Sequence, residues 1–529
     1  MKRLLISVIA FALLTAIPSQ ALDIADEQFS PSGPPVPGVP GYMGIHLEDG
    51  LHMTRLPSYL LNSTGPSIIR CLSLEDPKCS GIESFRWRSY LAPCESLADF
   101  DCIQSVTAIK ESGERVAGTL RKLYPETFET SHSGSTRYAI PAGKTPGLWN
   151  FAGISHAGGA DFFVASNFES YNWTRESGSQ QTRIQTGIYP VQEQLGRYTV
   201  PTMTDPGGLQ GGDYSCVFTM NGSCLKRYSF PENMRFELAL RLQTKVVGWI
   251  HGRMQSPDVT MEKQSSGGVL LTISALPVEV PVAYGWSKNS DLPTDLNDYL
   301  NRPNMVGGSF YYGRYGDTRE NVSVLRNANS EYDENTFKEF AMWLPVLNEK
   351  AAAVKSTWSF RTLGNWLAKG AESCFSASKE LQGVVTTNAT VYVSSPPTFN
   401  KQLGILEYRV ASPHFDKTGV NELKGNYDLA MRSDVARCLY NYTDAPVSAT
   451  ISVVSSNGVQ QSATVAVGER KNWLYLSARN FGYSTPTLKV KLTQKKNQTY
   501  SINCVKGSKT KKVTGTSPKC PAGYQKKVN

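Results

Sequence analysis

Six histidines serve a chain of 529 residues. None sits in a His-Glu-x-x-His pair, and no Gly-x-Ser-x-Gly elbow, Ser-x-x-Lys pair or phosphate-loop lysine stands in a context that would use it. These gaps disfavour metalloprotease, serine-hydrolase and nucleotide-binding chemistry. Cysteines never come at C-x2-C or C-x4-C spacing with histidines close by, so no metal site is expected. No apolar run after the N-terminal leader approaches the ~20 residues a spanning helix needs. Charged residues make up only 19% against 40% hydrophobic, with a mean hydropathy of −0.30. That is too apolar for a disordered chain and sufficient for packed cores. No cofactor is implied.

What is there begins with an address. Met1-Lys2-Arg3 is a basic start, Leu4 to Ala16 is apolar, and Ser19-Gln20-Ala21 offers the small residues a signal peptidase reads. Residues 1–21 are therefore expected to be a cleaved signal peptide, leaving a secreted or cell-surface protein with no transmembrane segment. The ten cysteines fit an oxidising compartment: Cys71, Cys79, Cys94, Cys102, Cys216, Cys224, Cys374, Cys438, Cys504 and Cys520. Three pairs share C-x7-C spacing, and the first two loops both carry Ser at +2, Leu at +3 and Asp at +5. Nearest-neighbour pairing gives five bridges. Sequence does not prove connectivity, and crossed pairing among Cys71, Cys79, Cys94 and Cys102 is the alternative.

The organisation reads as mainly β: multi-domain antiparallel sandwiches and sheets, stapled by disulfides, with one short helical segment. Residues 22–44 are a Pro/Gly-rich linker or strap, with five prolines and three glycines in 31–41. Residues 45–245 alternate short strands, such as Ser105 to Ile109, Phe162 to Ala165 and Arg235 to Leu242, with turn clusters at 206–212. Residues 246–385 form a second β unit containing the helical pattern at 334–355. There Phe337, Phe340, Ala341, Leu344 and Asn348 follow helical spacing, with a break expected at Pro345. Residues 386–499 read as a β-sandwich, with Asn457-Gly458 as a hairpin signal. Residues 500–529 form a basic tail module closed by Cys504 and Cys520.

Three stretches of this third unit and tail carry a resemblance. They are LEYRVASPHFDKTGVNELKGNYDLAMRSDVARCLYNYTDAPVSATISVV (407–454), KNWLYLSARNFGYSTPTLKVKLTQ (471–494) and INCVKGSKTKKVTGTSPKCPAGYQKK (502–527). They resemble secreted and cell-surface proteins of Actinobacteria, in which a Cys-containing β module precedes a Lys-rich Cys…Cys-Pro-x-Gly-Tyr tail. The clusters at 146–165 and 246–254 are similar to upstream parts of such proteins. The resemblance implies export and a surface or secreted life. It implies no particular activity.

Candidate sites are few. Trp149, His156 and Asp161 cluster among glycines, where His156 could serve as a base or ligand contact, or could close a tight turn. Trp249, His251 and Arg253 could form a polar and aromatic rim, or a strand-end hairpin. Asp161, Glu169 and Asp258 lie near aromatics and are the carboxylates a glycan hydrolase would draw on. Seven N-x-Ser/Thr sequons, at Asn62, Asn172, Asn221, Asn321, Asn388, Asn441 and Asn497, read as chance in a Ser/Thr-rich chain.

Charge is the sharpest signal. The formal net charge is +9, and +7 once Lys2 and Arg3 leave with the signal. Residues 485–529 hold eleven lysines and no Asp or Glu, so residues 22–484 carry −4. Lys506, Lys509, Lys511, Lys512, Lys519, Lys526 and Lys527 form the basic patch of the tail. Such a patch attracts polyanions, and on an exported protein those are anionic cell-envelope polymers or acidic glycans. Lysine in place of arginine, with few aromatics beside it, argues against nucleic acid. The expected function is a non-catalytic exported protein that binds a cell-wall polymer or another extracellular glycan or protein, with the tail as electrostatic tether. The alternative is a secreted, glycan-directed hydrolase with its site in residues 45–385.

Overall fold

The computed structural model describes residues 26–48, 58–62, 68–126, 131–176, 182–198, 215–244, 246–265, 267–301, 309–312, 322–327, 331–332, 334–363, 373–374, 380–393, 395–441, 447–454, 458, 460–461, 464–483, 486–494, 500–515 and 518–527. The expected signal peptide, the turn clusters at 206–212, Asn457, and the sequons at Asn321 and Asn497 lie outside the described residues.

The chain is mainly β, as its alternating runs predict. One ladder organises it. From one edge to the other run Thr464–Arg470, Trp473–Gly482, Lys424–Arg432, Leu381–Thr387, Gly248–Arg253, Ala353–Leu363, Arg183–Leu195, Asp161–Thr174, Ser84–Tyr90 and Tyr59–Asn62. All neighbours are antiparallel except Gly248–Arg253 beside Leu381–Thr387, which are parallel.

This ladder crosses the boundaries that composition suggests. The break expected at 385/386 falls inside the Leu381–Thr387 strand. The break expected at 245/246 is bridged by Arg235–Leu242 pairing with Val269–Leu276. Composition marks where turns fall, and it does not see which distant strand a run will hydrogen-bond to.

Two sheets pack on opposite halves of the ladder. On the N-terminal half sit Cys102–Ile109, Arg235–Leu242, Val269–Leu276 and Gln255–Lys263. Between them Trp87, Phe162, Trp173, Phe236, Ile250 and Trp358 are buried. On the C-terminal half sit Val391–Val393, Ile405–Ala411, Thr487–Gln494 and Val447–Val454. They close a sandwich over Trp249, Val385, Tyr427, Leu429 and Leu476, the arrangement that alternating apolar positions dictate.

A third core lies under Tyr42–Leu47, Val278–Lys288 and two helices, α1 (Thr294–Leu300) and α2 (Glu334–Val346). Phe337, Phe340 and Leu344 are buried on α2 at the predicted helical spacing. The helix ends at the break expected from Pro345. Pro345 occupies its last turn, Asn348 and Glu349 take left-handed backbone at φ 52° and 54°, and Ala353 begins a strand. A third helix, α3 (Ser433–Tyr440), carries Cys438.

The Pro/Gly segment acts as a strap. The Asp26 carboxylate accepts from the Val354 amide at 2.9 Å, and that of Glu27 from Ser356 at 3.3 Å. Lys355, buried, donates to the Phe29 carbonyl at 3.0 Å and pairs with Glu48 at 2.6 Å. Thus residues 26–29 lie along the edge of the Ala353–Leu363 strand.

All ten cysteines pair with their nearest neighbours, so the crossed alternative among the first four is corrected. The internal repeat has a physical cause. Asp76 accepts from the Leu72 amide at 3.0 Å and Asp99 from Glu95 at 2.8 Å. Ser73 Oγ accepts from the Glu75 amide at 3.1 Å and Ser96 Oγ from Ala98 at 3.2 Å. Ser at +2 and Asp at +5 fold each loop onto itself. These backbone hydrogen bonds hold both aspartates below the usual carboxylate range.

Candidate functional site

The two aromatic–histidine clusters are part of the framework. His156 lies in a tight turn, bridged to Gly159 by reciprocal backbone bonds. Its Nδ1 accepts from the Gly158 amide at 3.1 Å, so Nε2 carries the proton and donates to the Asp161 carbonyl at 2.8 Å. Both ring nitrogens are therefore spent, and burial lowers the pKa. The Asp161 carboxylate pairs with Arg121 at 2.7 Å, and Trp149 is buried in the Gly147–Phe151 strand.

Trp249, His251 and Arg253 occupy neither a rim nor a strand-end hairpin. They lie on Gly248–Arg253, a strand buried along its whole length between an antiparallel and a parallel neighbour. The Trp249 ring lies across Gly383, where a Cβ would overlap it. The His251 ring stacks on Tyr392 with centroids 3.4 Å apart and planes 4° from parallel. Arg253 donates to the carbonyls of Thr387 and Thr390, each at 3.2 Å, and to that of Ala389. Three carbonyls on one guanidinium tie this strand to the loop beyond its parallel neighbour.

Of the three carboxylates singled out, Glu169 is buried against Arg88 at 2.7 Å and accepts from Gln185 at 2.8 Å. Asp258 lines an open cleft. Two sequons are consumed by the fold. Asn62 accepts from the Ile69 amide at 2.7 Å, and buried Asn388 donates to the Lys424 carbonyl at 3.0 Å.

The basic tail is a three-stranded antiparallel sheet with Tyr500–Lys506 in the centre, Lys509–Gly515 on one side and Gln525–Lys526 on the other. The Cys504–Cys520 bridge ties the centre to the connecting loop. The Cys-Pro-x-Gly-Tyr signature makes a turn in which the Tyr524 amide donates to the Pro521 carbonyl at 2.9 Å. Gly523 sits at φ 82°, a position a type II turn reserves for glycine.

Register sorts the lysines. Lys511 and Lys526 flank Cys504 from the two neighbouring strands, and Lys506 faces Lys509 across the Gly507-Ser508 turn. Directly opposed residues share a face, so these four lysines line one side of the sheet. Lys511 and Lys526 are two strand spacings apart, about 10 Å. Lys512 lies opposite Asn503 and belongs to the other side. All seven predicted lysines are exposed, and residues 500–529 contain no acid to neutralise them.

One feature of the fold left only Asp258 as a trace in the sequence. A polar cleft of about 520 Å³ forms where Arg115, Arg235 and Glu237 meet Ser256, Asp258 and Asp428, with Ala466–Arg470 and Tyr475–Ser477 as the far wall. Tyr475 donates to Asp258 at 3.1 Å, and burial pushes its hydroxyl up to about 12, so it stays a donor. Arg470 lies over the Tyr475 ring at 3.7 Å. Ser256 stands in left-handed backbone at φ 52°, which non-glycine residues rarely adopt. No local motif joins these residues, because they come from strands more than 350 positions apart in the chain.

Comparison of the chain with protein-family models, with curated proteins and with solved structures gives no match.

Proposed function

We propose that the protein is exported and non-catalytic, and that it binds an anionic polymer of the cell envelope through its C-terminal sheet. The observation that carries this reading is the placement of the tail lysines: seven exposed, four of them on one side of a disulfide-closed sheet. Like charges directly opposed across strands destabilise a sheet. Lys506 opposite Lys509 is therefore costly for folding alone, and a bound polyanion removes the cost. Five disulfides and the leader-like N-terminus support an extracellular setting. The non-catalytic side of the reading is supported by the carboxylates and histidines named above, most of which hold the fold together.

The test is partition of the full chain and of a chain ending at residue 499 between envelope and medium. The tether reading expects truncation to release the protein, and high salt to release the full chain. Identical partition of both forms at low salt defeats it. Turnover of acidic glycans by the same preparations would favour the hydrolase reading instead.

A further inference from the structure

The cleft contains an uneven set of charges. Glu237 pairs with Arg115, and Asp428 with Arg479. Asp258 has Arg470 at 3.5 Å and the Tyr475 hydroxyl at 3.1 Å. Each carboxylate therefore has its own guanidinium. Arg235 is left over: among the described residues it forms no ion pair.

Arg235 is nevertheless firmly held. Its Nη1 donates to the Ser256 carbonyl at 3.0 Å and to the Ser274 carbonyl at 2.9 Å. The left-handed backbone of Ser256 makes this arrangement. It aims the carbonyl at Arg235 while the Ser256 amide donates to Asp428 at 2.9 Å and its hydroxyl accepts from Arg479 at 3.1 Å. Strain at a non-glycine residue persists where its surroundings fix it, and such residues gather at binding sites.

A guanidinium has five N–H donors in a planar fork. Two point from Nη1 to backbone carbonyls. The remaining edge, Nε with Nη2, is the one that meets a carboxylate or phosphate side-on with two parallel hydrogen bonds. Burial lowers the pKa of Arg235; the charge of Asp258 opposes this, Arg470 adds to it, and Asp428 and Glu237 oppose it. An anion at the free edge would add to the opposing side.

We propose that Arg235 is the recognition residue of a second binding site, one that takes a single oxyanion on an acidic glycan: a sugar carboxylate or a sugar phosphodiester. One negative charge matches one unpaired guanidinium, and the neighbouring carboxylates repel a second. Ser477 and Tyr475, whose protons go to Asp428 and Asp258, offer oxygen lone pairs to sugar hydroxyls, the exposed residues 466–470 of the edge strand lie beside them, and Ile109, Pro257 and Val467 give apolar wall to ring faces. This site shares no residue with the lysine sheet and stands without it.

The test is calorimetric titration of the full mature chain with three probes of similar size: trigalacturonate, a short poly(glycerol phosphate), and neutral maltotriose. Binding of one or both acidic probes and none of maltotriose is expected, and the stronger of the two identifies the oxyanion. Arg235→Lys keeps the charge and loses the fork, so affinity should fall about tenfold. Val467→Glu puts a negative charge on the cleft wall without touching Arg235 and should weaken the acidic probes to a similar degree. It carries the test if Arg235→Lys fails to fold. Both substitutions are read in a full-length background with all seven tail lysines changed to glutamine, which removes the lysine sheet's own polyanion binding and should itself keep binding the preferred probe. The proposal is overturned if no acidic probe binds, if maltotriose binds as well, if a folded Arg235→Lys or Val467→Glu protein keeps full affinity, or if the tail variant loses binding.

Discussion

His251 is held uncharged by its surroundings. Burial first, and then the charges of Arg253 and Arg361, push its pKa well below the ordinary histidine value. The unfolded chain takes up a proton near pH 6.5 and the folded chain does not, so stability is full above that pH and falls as pH drops below it. One such histidine contributes up to about 1.4 kcal/mol per pH unit. His251→Phe keeps a flat ring against Tyr392 and removes the titration. Its urea midpoint should shift less between pH 7 and pH 5 than that of the parent, and parallel shifts would show that the acid sensitivity lies elsewhere. The Arg88–Glu169 pair tests a different energy. Both side chains are almost fully buried, so Glu169→Gln removes the carboxylate that faces the buried Arg88 guanidinium and should cost about 3–5 kcal/mol in denaturant melts. Replacing both residues by apolar ones of similar size should cost less than the single change. A double variant as unstable as the single one would mean that the loss comes from packing and not from charge.

At the scale of elements, the Cys374–Cys438 bridge joins the segment before the Leu381–Thr387 strand to α3 and closes the longest loop of the five. Chain-entropy arithmetic gives about 4.3 kcal/mol for it, against about 2.6 kcal/mol for each C-x7-C loop. Cys438→Ser should therefore lower the melting of the C-terminal sandwich more than Cys79→Ser lowers that of its own region. Equal effects would place the stabilisation in local packing. These elements also show where sequence reading succeeds and fails. Cysteine spacing, the period-two alternation of Arg235–Leu242 and the helical spacing of Phe337, Phe340 and Leu344 are local patterns, and each led to the right element. Gly248–Arg253 defeated that logic. Its His and Arg suggest an exposed strand end, yet its two partners lie at Ala353–Leu363 and Leu381–Thr387, and both faces are covered. A polar residue can sit in such a strand when carbonyls from a distant loop receive it, as those of residues 387–390 receive Arg253. The lysine patch was legible because charge composition needs no partner strand. The Arg235 cleft was not, because it exists only once strands far apart in the chain meet.

For the whole molecule, the relevant contrast is a slightly acidic body with a basic appendage. Binding to a phosphate polymer through the seven tail lysines should fall steeply with salt, with a log–log slope of about −5 if most of them engage. Changing Lys506, Lys509 and Lys511 to glutamine should flatten that slope more than changing the equal number Lys512, Lys519 and Lys527. Slopes that depend only on the number of lysines removed would mean that the face does not matter. The pairing of cysteines has a consequence at this same scale. A chain that emerges N-terminus first presents its cysteines one at a time. In this protein every odd-numbered arrival is bonded to the very next one. Oxidation in order of emergence therefore yields the native set without reshuffling, although the central ladder must wait for strands far downstream. A fully reduced, full-length chain has no such order to follow. It should recover native bonds slowly in air and quickly when a disulfide isomerase is supplied, whereas the nascent chain should need none.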